Sequence, residues 1–418
     1  MIKALKEEIR QKLLTQNSKI LSSENMDKIE LENILKSILN EIVFQKHLNI
    51  TEVDKRQVLS DMVDELGGFG PIEAMMKDPG VTEIMINGPK KIYVERKGKK
   101  TLSNIEFDDE QQLRCLVYKL LASTRRRVDE SYPYVDVALK DGSRVNIIIP
   151  PLALDGTSVT IRKFLENIKV IDDLIKLEAL DQRMADFLLA CIRAKMNIIF
   201  SGATGAGKTT TLAVLSAYID NDERIVTIED TAELHLNQEH VVRLETRPRN
   251  IEGKGEITIR DLFNNSLRMR PGRIILGEIR SFEALDMLQA MCSGHTGSLA
   301  VVHANSPLEV IYRLETMILT SGLPISLDII HRQIAAAIHL IIQQKQLSDG
   351  TRKIINITQV NGLKDGTVVL EDIFNYEITE VVDGKVHGKF MATGVIPVFY
   401  PLMAKRGVNL AKEIFNKD

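Results

Sequence analysis

The 418-residue sequence is poor in aromatic side chains, at 5%, and holds only three cysteines. Cys115, Cys191 and Cys292 stand alone, with no CxxC pair and no histidine at ligand spacing. That pattern excludes a disulfide framework and a zinc site, and reads as reduced core or helix thiols in a reducing compartment. No window approaches the roughly 18 uncharged apolar residues that would cross a bilayer. The N-terminal run MIKALKEEIRQKLL is charged and amphipathic, without the apolar core of a signal peptide. A soluble, cytoplasmic protein is therefore expected, with any membrane role supplied by a partner. An excess of one charge is also missing: 54 basic against 57 acidic side chains leave −3. Without a basic, aromatic-rich stripe, this balance weighs against a protein that coats nucleic acid. Tandem repeats and low-complexity tracts are absent. What remains is an ordinary composition, 44% hydrophobic and 27% charged, in a chain long enough for two or three domains.

The strongest motif lies in 198-IIFSGATGAGKTTTLAVL-215. An apolar strand-like run meets a small-residue loop and then a helix-forming run. Gly202, Ala203, Thr204, Gly205, Ala206, Gly207, Lys208 and Thr209 fit G-x-x-x-x-G-K-[ST], and Thr210 follows. Glycines let successive N–H groups turn into one concavity that holds phosphate oxygens. The helix that follows adds its unpaired N–H groups and positive end. Lys208 reaches the β- and γ-phosphates and the Thr209 hydroxyl ligates Mg²⁺. The expected cofactors are ATP and Mg²⁺.

In chain order, residues 1–66 read as a helical region. Its stripe Ile34, Leu35, Ile38, Leu39, Ile42, Val43 is expected to pack a core, and Thr51 with Asp54 forms a capping pair. Residues 67–165 read as an α+β domain. It has a hairpin over 82–87 and 91–96, a strand near 100–107, a helix capped by Asp108 or Asp109, and strands over 133–140, 143–150 and 157–163. The triplet Arg125, Arg126, Arg127 reads as a solvated basic face. Residues 166–172 read as a linker. From 173 to 418, short apolar strands alternate with helices, which predicts an α/β fold with a mostly parallel sheet and helices on both faces. Beyond about residue 337 the pattern turns to β-hairpins, marked by Asp349-Gly350 and Asp365-Gly366.

A phosphate cradle needs a metal partner and a group that aims water. The strand 225–229 delivers Glu229 and Asp230, with Glu233 just beyond. These acids can hold Mg²⁺ or order the γ-phosphate side, or merely cap the next turn. The run 273-RIILGEIR-280 delivers Glu278, the choice to polarise the attacking water or to act with Mg²⁺. His303 ends an apolar strand and reads as a γ-phosphate sensor. His295, before that strand, is evenly balanced between a catalytic and an ordinary polar role. Arg144 and Arg162, from the preceding domain, can neutralise charge on the transferred phosphoryl, or else form surface ion pairs.

The segments GATGAGKTT, TIEDTAELHL, RNIEGKGEITIRDLFNNSLRMRPGRIILGEIR and SGHTGSLAVVHANSP together resemble the P-loop, Asp box, Walker B and His box of secretion ATPases. With DESYPYVDVALKDGSRVNIIIPPLALDG and TIRKF upstream, they are similar to the CpaF/TadA branch, the motor ATPases of Tad-type pili. The resemblance covers roughly residues 50–418. It implies a RecA-like ATPase domain, a cytoplasmic homo-hexamer, and docking on inner-membrane platform proteins to drive pilus assembly, with retraction in some members. It also implies catalytic roles for Glu278, Glu229, Glu233, His295, His303, Arg144 and Arg162. The alternatives are a secretion ATPase for protein or DNA export, or a nucleotide-binding scaffold with little turnover.

Overall fold

The computed structural model describes residues 2–16, 28–96, 98–122, 124, 126–139, 141–163, 168–249 and 253–418. Arg125, the polar loop expected after residue 16 and the first two residues of the expected linker lie outside them. The chain divides into two compact units, Met1–Leu165 and Glu166–Asp418.

The first unit opens with α1 (Ile2–Gln16), α2 (Lys28–Gln45) and α3 (Glu52–Gly67). Leu35, Ile38, Leu39 and Ile42 are buried, as the helical stripe predicts, against Leu5, Ile9, Leu13, Val58 and Met62. Thr51 Oγ1 accepts from the Asp54 N–H at 3.1 Å and starts α3. After the short α4 (Glu73–Lys77) come β1 (Val81–Asn87), β2 (Ile92–Arg96), β3 (Lys99–Leu102), α5 (Glu110–Ala122), β4 (Tyr134–Ala138), β5 (Arg144–Ile148) and β6 (Ser158–Arg162). The strand expected over 100–107 is thus shorter, because Phe107 leaves the sheet to fill the core. The six strands form one antiparallel sheet in the order β3-β2-β1-β6-β5-β4. Ile84, Ile86, Val145, Ile147, Val159 and Ile161 face α5 and its buried Leu113, Leu116 and Leu120. Period-two alternation sends their neighbours to the opposite face. Arg126 is half-buried, so the basic triplet is not uniformly solvated; Arg127 is exposed and pairs with Asp129 at 3.3 Å.

The second unit holds α6 (Ile171–Lys176), α7 (Gln182–Arg193), β7 (Ile198–Gly202), α8 (Lys208–Ser216), β8 (Ile225–Glu229), β9 (Val241–Glu245), α9 (Ile259–Ser266), β10 (Arg273–Leu276), α10 (Glu283–Cys292), β11 (Leu299–Val302), α11 (Pro307–Leu319) and α12 (Leu327–Ala337). Four strands follow: β12 (Leu340–Gln346), β13 (Arg352–Lys364), β14 (Thr367–Val382) and β15 (Lys385–Ala392). Residues 171 and 172, expected in the linker, instead form the first turn of α6. Asp173 accepts from the N–H groups of Lys169 and Val170, and Ile171 is buried.

One nine-stranded sheet runs β15-β14-β13-β12-β7-β11-β10-β8-β9. The ladders from β12 to β9 are all parallel, and those from β12 to β15 are antiparallel. The C-terminal strands are therefore not separate hairpins: β12 pairs with β7 and carries the parallel sheet on. Asp365 and Gly366 have φ of 51° and 77°, the left-handed pair that a tight two-residue hairpin requires. Helices cover both faces. Phe187, Leu188, Leu212 and Leu215 pack on one, Phe263, Leu285, Leu288 and Ile334 on the other.

The fully buried Arg10 ties α1 to its unit. It donates to Glu65 at 2.7 Å, Asp108 at 3.0 Å and Asp109 at 3.2 Å. Arg10→Ala leaves three carboxylates facing one another without their cation. We expect it to lower the unfolding free energy of the helical region by about 3 kcal/mol, since removing one partner of a buried ionic cluster strands the others. Urea titration followed by circular dichroism measures this; an unchanged midpoint would show the cluster to be dispensable.

Candidate active site

Apolar Ile198 to Phe200 place β7 in the middle of the parallel sheet, and the small-residue loop leaves its C-terminal end. Gly205 and Gly207 adopt φ of 77° and 99°, with Gly207 at the N-cap of α8. A Cβ on Gly202 would collide with the Gln344 carbonyl oxygen of β12, so the glycine is required by close approach. Thr209 and Thr210 lie half-buried in the first turn of α8.

Lys208 is 5% exposed, and its Nζ donates to the Ala203 carbonyl at 2.8 Å. The same Nζ lies 3.4 Å from His303 Nδ1. An ammonium group can only donate, so Nδ1 is the acceptor and the ring proton sits on Nε2. Nε2 then donates to Glu278 Oε1 at 3.2 Å. Burial, and then the charge of Lys208, hold the His303 pKa below its ordinary value, consistent with this neutral tautomer. Glu278 Oε2 accepts from Arg280 at 2.6 Å, and Arg280 reaches on to Asp230 at 2.8 Å. The series Lys208, His303, Glu278, Arg280, Asp230 thus crosses the ends of β7, β11, β10 and β8, which are neighbours in that order.

Glu229, last in β8, is 3% exposed and turned inward. Its carboxylate accepts from the N–H groups of Glu233 at 2.8 Å and Leu234 at 3.0 Å. In this geometry the carboxylate caps the turn that follows β8. Burial pushes its carboxyl up to about 7, partly opposed by those two hydrogen bonds. Gly277 permits this: a Cβ there would lie 2.9 Å from Glu229 Cγ. Glu233 is half-buried, with its N–H committed to Glu229.

His295 is not brought to this cluster. It precedes β11, so the length of that strand separates it from His303, and it lies at the opposite end of the sheet from the P-loop. Gly297, two residues on, neighbours Arg273 and Lys195 at the strand starts. The buried Nδ1 of His295 has no hydrogen-bond partner among the described residues. Arg144 and Arg162 belong to the first unit, where they stand directly opposite each other on β5 and β6. Arg162 is 3.9 Å from Glu83, its neighbour on β1.

Arg280, Gln344 and Arg352 escaped the sequence reading. Arg280 had a signal, its i+2 spacing from Glu278 past a strand end. Gln343-Gln344, a polar pair closing the apolar run Leu340–Ile342, was the other. Among the described residues no group of three or more His, Cys, Asp or Glu side chains sits close enough to hold a metal by itself. The donors present, the Thr209 hydroxyl and the Glu278 carboxylate, fit a Mg²⁺ ion that takes most of its ligands from phosphate and water.

The chain belongs to the family described as type II/IV secretion system protein, which it matches over residues 65–367. It is 35% identical over 299 residues to a putative conjugal transfer protein of Mycobacterium tuberculosis, covering 70% of this chain and 84% of the relative. It is 31% identical over 286 residues to the protein VirB11 of Agrobacterium fabrum, covering 62% of this chain and 82% of the relative. Among solved structures, the pilus retraction motor PilT with bound ADP aligns with a TM-score of 0.50 at 18% identity. That alignment covers 81% of this chain and 86% of PilT and is a likeness of fold.

The buried Glu229 carboxyl carries a pH signature. Its folded pKa of about 7 lies above the ordinary 4.5, so its contribution to stability is complete below 4.5 and is lost as pH rises through 7. Glu229→Gln does not ionise. We expect it to gain about 2 kcal/mol relative to wild type between roughly pH 5 and pH 8. Urea unfolding of both proteins at the two pH values tests this, and a pH-independent difference would refute the buried carboxyl.

Proposed function

We propose that the protein is an ATP-hydrolysing motor whose second unit is a RecA-like, Mg²⁺-dependent ATPase domain. The observation that carries this reading is the series from Lys208 through His303 to Glu278 along the ends of adjacent parallel strands. The P-loop N–H groups and Lys208 hold the phosphate chain. Thr209, with Glu278 as a further carboxylate donor, would hold Mg²⁺, which would supply positive charge to the phosphate chain. Glu278 polarises the attacking water. His303, a neutral Nε2–H donor to Glu278, couples that carboxylate to the position of Lys208. Glu229 acts as a positioning residue that fixes the turn bearing Glu233.

Arg144 and Arg162 are the arginines assigned in this reading to neutralise charge on the transferred phosphoryl group. In this reading the chain forms a homo-hexamer and the second unit is its catalytic domain. The ring works in the cytoplasm on an inner-membrane platform and drives assembly, with or without retraction, of a Tad-type pilus. The names of the mycobacterial relatives favour a second reading, export of protein or DNA by a conjugation-like system.

Purified full-length protein tests the common core of both readings. Mg²⁺-dependent ATP hydrolysis is expected, with specific activity rising with protein concentration. Lys208→Ala and Glu278→Gln are each expected to lower kcat at least ~100-fold. Hydrolysis that survives either change would sink the assignment. Salt-sensitive DNA binding would move the choice to the second reading.

A further inference from the structure

The P-loop is backed by a part of the chain that its own motif does not include. In the parallel ladder between β12 and β7, Gln344 stands opposite Gly202, where the loop begins. The chain then turns and returns as β13, placing Arg352 opposite Gln346. Both long polar side chains at this end of the hairpin go to the loop. Gln344 accepts from Thr211 Oγ1 of α8 at 3.0 Å, and its Nε2 lies 2.9 Å from where a Cβ on Gly207 would stand. The Arg352 stem crosses Gly207, with Cδ 3.4 Å from that same point, and its Nε donates to the Gly205 carbonyl at 2.7 Å. All three loop glycines therefore have the hairpin against them: Gly202 the backbone of Gln344, Gly205 the Arg352 guanidinium, Gly207 both side chains.

The hydrogen bonds lead on to Lys208. The peptide whose carbonyl Arg352 holds, Gly205–Ala206, donates its own N–H to the Ala203 carbonyl at 3.3 Å. The Ala203 carbonyl is also the acceptor of Lys208 Nζ. A single peptide unit thus connects the guanidinium with the carbonyl that seats the ammonium. A charged donor on the carbonyl of that peptide strengthens and orients its N–H.

We propose that Arg352, beside Gln344 at Gly207, is a positioning residue for the phosphate loop. It sets the loop's shape and the seat of Lys208, and so the affinity for a nucleotide's phosphate chain, without touching the reacting atoms. The inference rests on the ATPase reading above and adds to it a C-terminal strand pair as part of the phosphate site.

The test is ADP binding by calorimetry and steady-state ATP hydrolysis for full-length wild type, Arg352→Ala and Arg352→Lys. Arg352→Ala is expected to raise Kd for ADP and KM for ATP about 10-fold, the scale of one hydrogen bond to a charged group. Its kcat should stay within roughly 3-fold and its melting temperature should hold. Arg352→Lys keeps one charged donor and should restore Kd to within roughly 3-fold of wild type. Wild-type affinity in Arg352→Ala overturns the inference. So does a fall in kcat at constant KM, or equal impairment of both variants together with a lowered melting temperature. A wild-type protein that binds no ADP overturns the nucleotide reading itself, and this inference with it.

Discussion

The parallel ladder on both sides of β7 is the constraint from which the site follows. A strand in a parallel sheet ends on the same edge as its neighbours, so the residues just past those ends share one shelf. Here β12, β7, β11, β10 and β8 stand in that order. The shelf therefore collects Gln344, the P-loop, His303, Glu278 and Glu229 from places up to 142 positions apart in the chain (202 to 344). No single segment holds this cluster together. It exists because Ile198, Ile199 and Phe200 are buried on both faces, with Val301 and Ile342 packed beside Phe200. The apolar core fixes the register, and the register fixes the chemistry.

Close backbone approach is the second condition, and two glycines provide it. Gly202 lets the loop start against β12, and Gly277 lets the Glu229 side chain pass β10. At Gly202 the approach sets where the loop carrying Lys208 begins. At Gly277 it admits a carboxyl into a place where burial outweighs two N–H donors and raises its pKa. Arg280 spans the gap by holding Glu278 and Asp230 together.

Much of this was legible in the sequence, for reasons that differ by residue. The P-loop glycines, the apolar strands and the caps are local features, and the alternation of short apolar runs with helices carries the α/β class. Glu278 and His303 were found because each follows an apolar run, and parallel strands turn that into proximity. His295 was left evenly balanced because it precedes its strand, and in the structure the length of β11 separates it from His303. The alternatives for Glu229 stayed open in the sequence because its inward turn depends on Gly277, 48 positions later. Arg352 was passed over because the hairpin that carries it reads as a separate β element until β12 is seen to join β7.

The first unit shows the limit of local reading in another form. Its helical stripes predicted a core, and the core is there, yet α1 is also fastened by a fully buried guanidinium among three carboxylates. Asp108 and Asp109 were read as helix caps, and Asp109 does accept the Gln112 N–H at 2.8 Å. Its second oxygen serves Arg10, so one side chain both starts α5 and anchors a helix about a hundred residues upstream. On the same unit's sheet the opposed pair Arg144 and Arg162 keeps like charges adjacent, with Glu83 beside them as a partial counter-charge. A buried cation surrounded by acids is a satisfied structural element.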